Sequence, residues 1–170
     1  MKIAILSDSH KKTKLMQDAI DMLKEKNPKY IIHAGDLEIK ENLEILKKSK
    51  ITYISVFGNN DYNLVQHQND YNIHKEPYYF KMAELTFKLM HIPYYMTPDT
   101  NIIISGHTHM FETQYINDTL YINPGEICAR NKNLTECALL EIKEKQYKVE
   151  YFYKKPEEKQ WKKKEYIYEK

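Results

Sequence analysis

The chain has 170 residues, 42% of them hydrophobic, and its charges nearly balance at a formal +2. That length suits a single domain with a real core, and the balance excludes a disordered polyelectrolyte. It also gives no global case for binding nucleic acid or an anionic membrane.

The predicted elements begin with a buried strand at Ile3–Leu6. A helix follows, marked by Leu15, Met16, Ala19, Ile20 and Leu23 at three- and four-residue spacings and ended by Pro28. Tyr30–Ile32 predicts a second strand, Leu43, Ile45 and Leu46 a second helix, and Ile51–Phe57 a third strand. Short apolar strands joined through helices imply a parallel sheet buried on both faces. The polar stretch Asn63–Lys75 reads as a surface loop.

Beyond it, Tyr78–Met82, Leu85–Met90, Ile102–Ile104, Leu120–Ile122, Ala138–Ile142 and Tyr147–Tyr153 read as strands. No helical pattern separates them, so this half is expected to be mostly antiparallel. The domain is taken as 1–153, with 154–170 a Lys-rich extension of it. Seven lysines against four glutamates leave that tail a net +3, with Trp161, Tyr166 and Tyr168 interleaved. Composition favours a solvated terminal strand or helix over a nucleic-acid contact. Cys128 and Cys137, with no signal peptide ahead of them, read as reduced thiols of a cytoplasmic protein. No segment is long and apolar enough to span a membrane.

Seven nitrogen and oxygen donors stand at the ends of the apolar runs. They are Asp8 and His10 in Ser-Asp-Ser-His, Asp36 in His-Ala-Gly-Asp, Asn59 in Phe-Gly-Asn-Asn-Asp, His91 after Lys-Leu-Met, and His107 and His109 in Ser-Gly-His-Thr-His. The carboxyl ends of parallel strands converge on one crevice, so residues far apart in sequence can share one site there. In extended chain, residues i and i+2 point the same way, which suits Asp-x-His and His-x-His. Such a mixed donor set fits Mn²⁺, with Ni²⁺, Fe²⁺ and Zn²⁺ as alternatives, rather than Mg²⁺ or Ca²⁺. His33 reads as a packed histidine rather than a ligand.

The ordered set Asp8-Ser-His10, Gly35-Asp36, Gly58-Asn59-Asn60-Asp61, His91 and Gly106-His107-Thr-His109 resembles the calcineurin-like metallophosphoesterases, in particular the small YfcE-type phosphodiesterases. Ile122-Asn123-Pro124-Gly125 and Arg130 extend the likeness. The resemblance implies an α/β sandwich of two packed mixed sheets flanked by helices. It also implies two divalent transition-metal ions, one held by Asp8, His10, Asp36 and His109, the other by Asp36, Asn59, His91 and His107. The implied reaction is hydrolysis of a small phosphodiester through a bridging hydroxide, with Asp36, Asn59, Asn60 and Asp61 as the catalytic group. A dimer or tetramer is a further expectation.

Two departures stand out. Asn60 occupies the position where many relatives carry a histidine, and an amide is no general acid. Only fifteen residues separate His91 from His107, so the helix usual in that interval is expected to be truncated or absent. A phosphomonoesterase, and a metal-binding scaffold like the retromer-coat subunit that shares the fold, are the competing readings.

Overall fold

The computed structural model describes residues 1–170 as twelve strands and two α-helices. β1 (Lys2–Leu6), β2 (Tyr30–His33), β3 (Thr52–Val56) and the two-residue β4 (Ile73–His74) run parallel in that order. On the other side of β1 lie β10 (Thr135–Ile142), β11 (Gln146–Lys154) and β12 (Lys162–Glu169), each antiparallel to its neighbour. The second sheet has the order β5 (Tyr78–Met82), β6 (Leu85–Leu89), β7 (Ile102–Ile104), β9 (Thr119–Pro124), β8 (Phe111–Ile116).

Side-chain alternation along β1 and β10 builds two cores. Ala4, Leu6, Cys137 and Leu139 face α1 (Thr13–Lys24) and α2 (Lys40–Lys48), meeting Met16, Ile20, Leu23, Leu43 and Leu46. Ile3, Ile5, Ala138 and Leu140 face the second sheet, meeting Phe87, Leu89, Ile102, Ile104 and Ile122. The stretches Ile3–Leu6 and Cys137–Leu140 are thus apolar at every position because both faces are covered. Both helices lie on the outer face of the seven-stranded sheet.

Most pairings in the second half are antiparallel as expected, β5–β6, β8–β9, β10–β11 and β11–β12 among them, but β6, β7 and β9 run parallel at the centre of the second sheet. The crossover from β6 to β7 is an irregular segment without a helix. The stretch read as a loop at Asn63–Lys75 instead overlaps a 3-10 helix, Tyr62–His67, and contains β4, with Leu64, Tyr71 and Ile73 buried. β8 is a further strand beyond those predicted, and β12 absorbs most of the Lys-rich tail. Its lysines pair across strands, as Lys163 does with Glu150 at 2.9 Å. No helix is long and apolar enough to cross a membrane.

Lys88 on β6 organises the helix-free crossover. It is fully buried, and its ammonium donates to the carbonyls of Tyr95 (2.9 Å) and Thr97 (2.8 Å) and pairs with Asp99 at 2.5 Å. One cation thereby holds three points of the segment that follows His91. Lys88→Met keeps the apolar stem and removes all three bonds. It is expected to lower unfolding free energy by about 2 kcal/mol in denaturant melts. Limited proteolysis should then cut first between residues 92 and 99.

Candidate metal centre

Three parallel strands of the first sheet and three of the second end at one edge. β1 leads to Asp8 and His10, β2 to Asp36, β3 to Asn59, β6 to His91, β7 to His107 and His109, and β9 to Glu126. The chain turns sharply there. Asp8, His10, Asp36, His107 and His109 all have left-handed φ, between 45° and 68°. Such geometry costs of order 1–3 kcal/mol per residue and persists only where the surroundings enforce it.

Asp61 is one of those enforcers. Its carboxylate accepts the backbone N–H groups of Gly58 (2.8 Å), Asp36 (2.9 Å) and Glu38 (2.5 Å), which ties the loop after β3 to the loop after β2. Buried Asn42 of α2 adds a second tie, donating to Leu37 O at 2.7 Å and to His10 O. Two glycines are required by contact. A Cβ on Gly35 (φ +86°) would stand 2.7 Å from the His91 ring, and one on Gly58 would collide with the Asp36 carboxylate.

The seven sequence-predicted donors form a closed circuit. His10 Nε2 lies 3.7 Å from Asp36 Oδ2, and that oxygen lies 3.4 Å from His91 Nε2. His91 Nε2 is 3.0 Å from Asn59 Oδ1, which is 3.1 Å from His107 Nδ1. The backbone N–H of His107 donates to Asp8 Oδ2 at 3.0 Å, and Asp8 Oδ1 is 3.3 Å from His109 Nε2. The His109 ring stacks on His10 at 5.5 Å, closing the loop. Two donor atoms on one ion at ordinary bond lengths stand ~3.0–3.4 Å apart. Asp8 Oδ1 and His10 Nε2 are buried and hydrogen-bond to nothing in the protein. Orphaned donors of this kind are costly unless an ion takes them, so the residues fit a metal.

Asp8, His10, Asp36, His91 and His109 are buried, whereas Asn59 and His107 are exposed, so the circuit opens to solvent on that side. Burial works against ionisation of Asp36, but hydrogen bonds from His91 and Asn60 hold its carboxyl well below the usual range. His91 is raised to about 9: burial opposes its charge, and Asp36, Asp8 and the Ala34 carbonyl outweigh it. His33 is fully buried against Ser9 Oγ at 3.1 Å, and burial lowers it to about 3. It packs beneath the circuit as expected.

Asn60 turns inward. Its backbone N–H and side-chain amide donate to the two oxygens of Asp36 at 2.9 and 2.7 Å. Three more residues were missed by sequence reasoning. Glu38 takes His10 Nδ1 (3.1 Å), and buried Glu126 takes His109 Nδ1 (2.5 Å). Cys128 donates its thiol to Glu126 at 3.3 Å, and burial pushes it up to about 12, so it stays protonated.

Gly58→Ala is expected to lose on the order of 2 kcal/mol of stability by displacing Asp36. Its Mn²⁺ affinity in calorimetric titration should fall well below that of the unaltered chain.

The description "calcineurin-like phosphoesterase superfamily domain" matches residues 1–145. A phosphodiesterase of Methanocaldococcus jannaschii is 26% identical over 161 residues, covering 87% of this chain and 97% of that protein. Among solved structures, Vacuolar Protein Sorting 29 of Cryptosporidium parvum aligns with a TM-score of 0.83 at 16% identity, over 99% of this chain and 98% of that one. The phosphoesterase YfcE of E. coli aligns with a TM-score of 0.70 at 18% identity, over 88% and 92%. This chain belongs to the calcineurin-like phosphoesterase superfamily.

Proposed function

We propose that the protein is a metal-dependent phosphodiesterase acting on a small phosphodiester, with two divalent transition-metal ions, Mn²⁺ foremost. The observation that carries this is the gathering of all seven donor residues at one edge, with neighbouring donor atoms 3.0–3.7 Å apart from His10 through Asp36, His91 and Asn59 to His107, and from Asp8 to His109. Asp8, His10, Asp36 and His109 would hold one ion and Asp36, Asn59, His91 and His107 the other, Asp36 serving both. When bound, such ions supply an activated water and neutralise charge developing on the phosphoryl group.

The chain's own residues do the rest. Asp8 and Asp36 offset cationic charge, while Asn59 is neutral and leaves its side of the site the more electron-poor. Asn60 grips both oxygens of Asp36 and so fixes the shared carboxylate. Substrate enters by the exposed Asn59–His107 side.

A scaffold reading draws on the likeness to Vacuolar Protein Sorting 29 and on exposed Tyr94 and Tyr95. Against it, a scaffold has no use for Asp8 Oδ1 and His10 Nε2 buried without partners. A phosphomonoesterase would use the same donors, so substrate comparison separates the two.

Metal-stripped protein reconstituted with Mn²⁺ should hydrolyse an aryl phosphodiester faster than the monoester, and Asp36→Asn should lose about 10³-fold in kcat. Tight metal binding without turnover of either ester would favour the scaffold. Because Asn60 has no proton to give near neutral pH, good leaving groups should be preferred. Asn60→His is then expected to gain most on poor leaving groups, read as a shallower dependence of rate on leaving-group pKa. An unchanged slope would place leaving-group protonation elsewhere.

A further inference from the structure

A sheet edge exposes a row of unpaired N–H and C=O groups, which recruits another strand unless the sequence prevents it. Three of the four edges here are guarded. β4 is two residues long, β5 follows Pro77 and carries Lys81, and β12 opens with Lys162, Lys163 and Lys164. β8 has no such guard. It pairs with β9 alone, and its sequence Phe-Glu-Thr-Gln-Tyr-Ile holds a single charge and neither lysine nor proline. Met110, just before the strand, and Ile116, at its end, are 54% and 51% exposed.

The strand is also complementary to itself. Residues directly opposite in an antiparallel pair share a face, so a two-fold axis normal to the sheet must pass through a residue position. With the axis at Thr113, Met110 meets the partner's Ile116, Phe111 the partner's Tyr115, and Glu112 the partner's Gln114. Exposed apolar side chains then cover each other, ring meets ring, and the one charge on the strand meets an amide donor. Moving the axis to a neighbouring residue sets Glu112 against the partner's Ile116 or against its own copy. Thr113 supplies a separate observation. Its Oγ1 is buried and has no hydrogen-bond partner within the chain. At the axis the two Thr113 hydroxyls face each other, one donating and the other accepting.

We propose that a second copy of this chain docks on β8, antiparallel about a two-fold axis at Thr113, joining two five-stranded sheets into one of ten strands. The paired segment begins one residue after His109, so the contact also fastens the strand that leaves the donor circuit. A single strand pair is a small interface, and the dimer is expected to exchange with monomer at micromolar concentrations.

Sedimentation velocity of the full-length chain between roughly 5 and 200 μM should show that monomer–dimer equilibrium. Gln114→Glu sets carboxylates opposite each other at two places in the pair and should raise the dimer Kd about tenfold. Combining it with Glu112→Gln exchanges the two partners and should return Kd to the wild-type value. Both positions are exposed, so melting temperatures measured on dilute protein should not move. A wild type that stays monomeric throughout, a dimer that Gln114→Glu leaves intact, or one that the double variant fails to restore would overturn the proposal.

Discussion

Asp36 lies where the loops after β2 and β3 meet the histidines of the second sheet, and its placement depends on backbone hydrogen bonds more than on its own side chain. Asp61 clamps the N–H groups of Asp36, Glu38 and Gly58, so the turn after β2 is locked to the turn after β3. The left-handed φ of 58° at Asp36 survives because that clamp leaves the chain no alternative. With the backbone fixed, the carboxylate is held from one side by Asn60 and met from the other by His91, which belongs to the second sheet. The site is therefore a seam between two sheets, and the core packed between them keeps it aligned.

The division of labour around the seam is electrostatic. The histidines are oriented from behind. Ala34 O takes His91 Nδ1 at 2.8 Å, Glu38 takes His10 Nδ1, and Glu126 takes His109 Nδ1. Each contact turns the other ring nitrogen toward the circuit, the arrangement that orients histidines around metal ions generally. The buried half of the circuit carries the carboxylates, while its exposed half carries Asn59 and His107 and no carboxylate.

Much of this was legible in the sequence because the donors follow apolar runs. Ile3–Leu6 and Ile102–Ile104 announce buried strands, and a polar residue immediately after such a strand has only the sheet edge to occupy. α1 was legible from its periodicity. What stayed hidden depended on tertiary context. Lys88 in Thr-Phe-Lys-Leu looks solvent-facing, yet the crossover folds over it and supplies two carbonyls and a carboxylate. β8 alternates Phe111, Thr113 and Tyr115 with Glu112 and Gln114, a polar edge pattern that follows directly on a loop motif. The parallel order of β6, β7 and β9 was obscured because no helix marks their crossovers. Glu126 was unreadable as a histidine partner, since nothing in Asn-Pro-Gly-Glu indicates which ring it faces.

The central claim is that seven donors from two sheets share two ions through Asp36. A crystal of the protein soaked in Mn²⁺ and measured at the manganese absorption edge tests it most directly. The account predicts two anomalous peaks about 3.5–4 Å apart, both in contact with Asp36. One peak alone, or peaks that leave Asp36 without a metal, would contradict it.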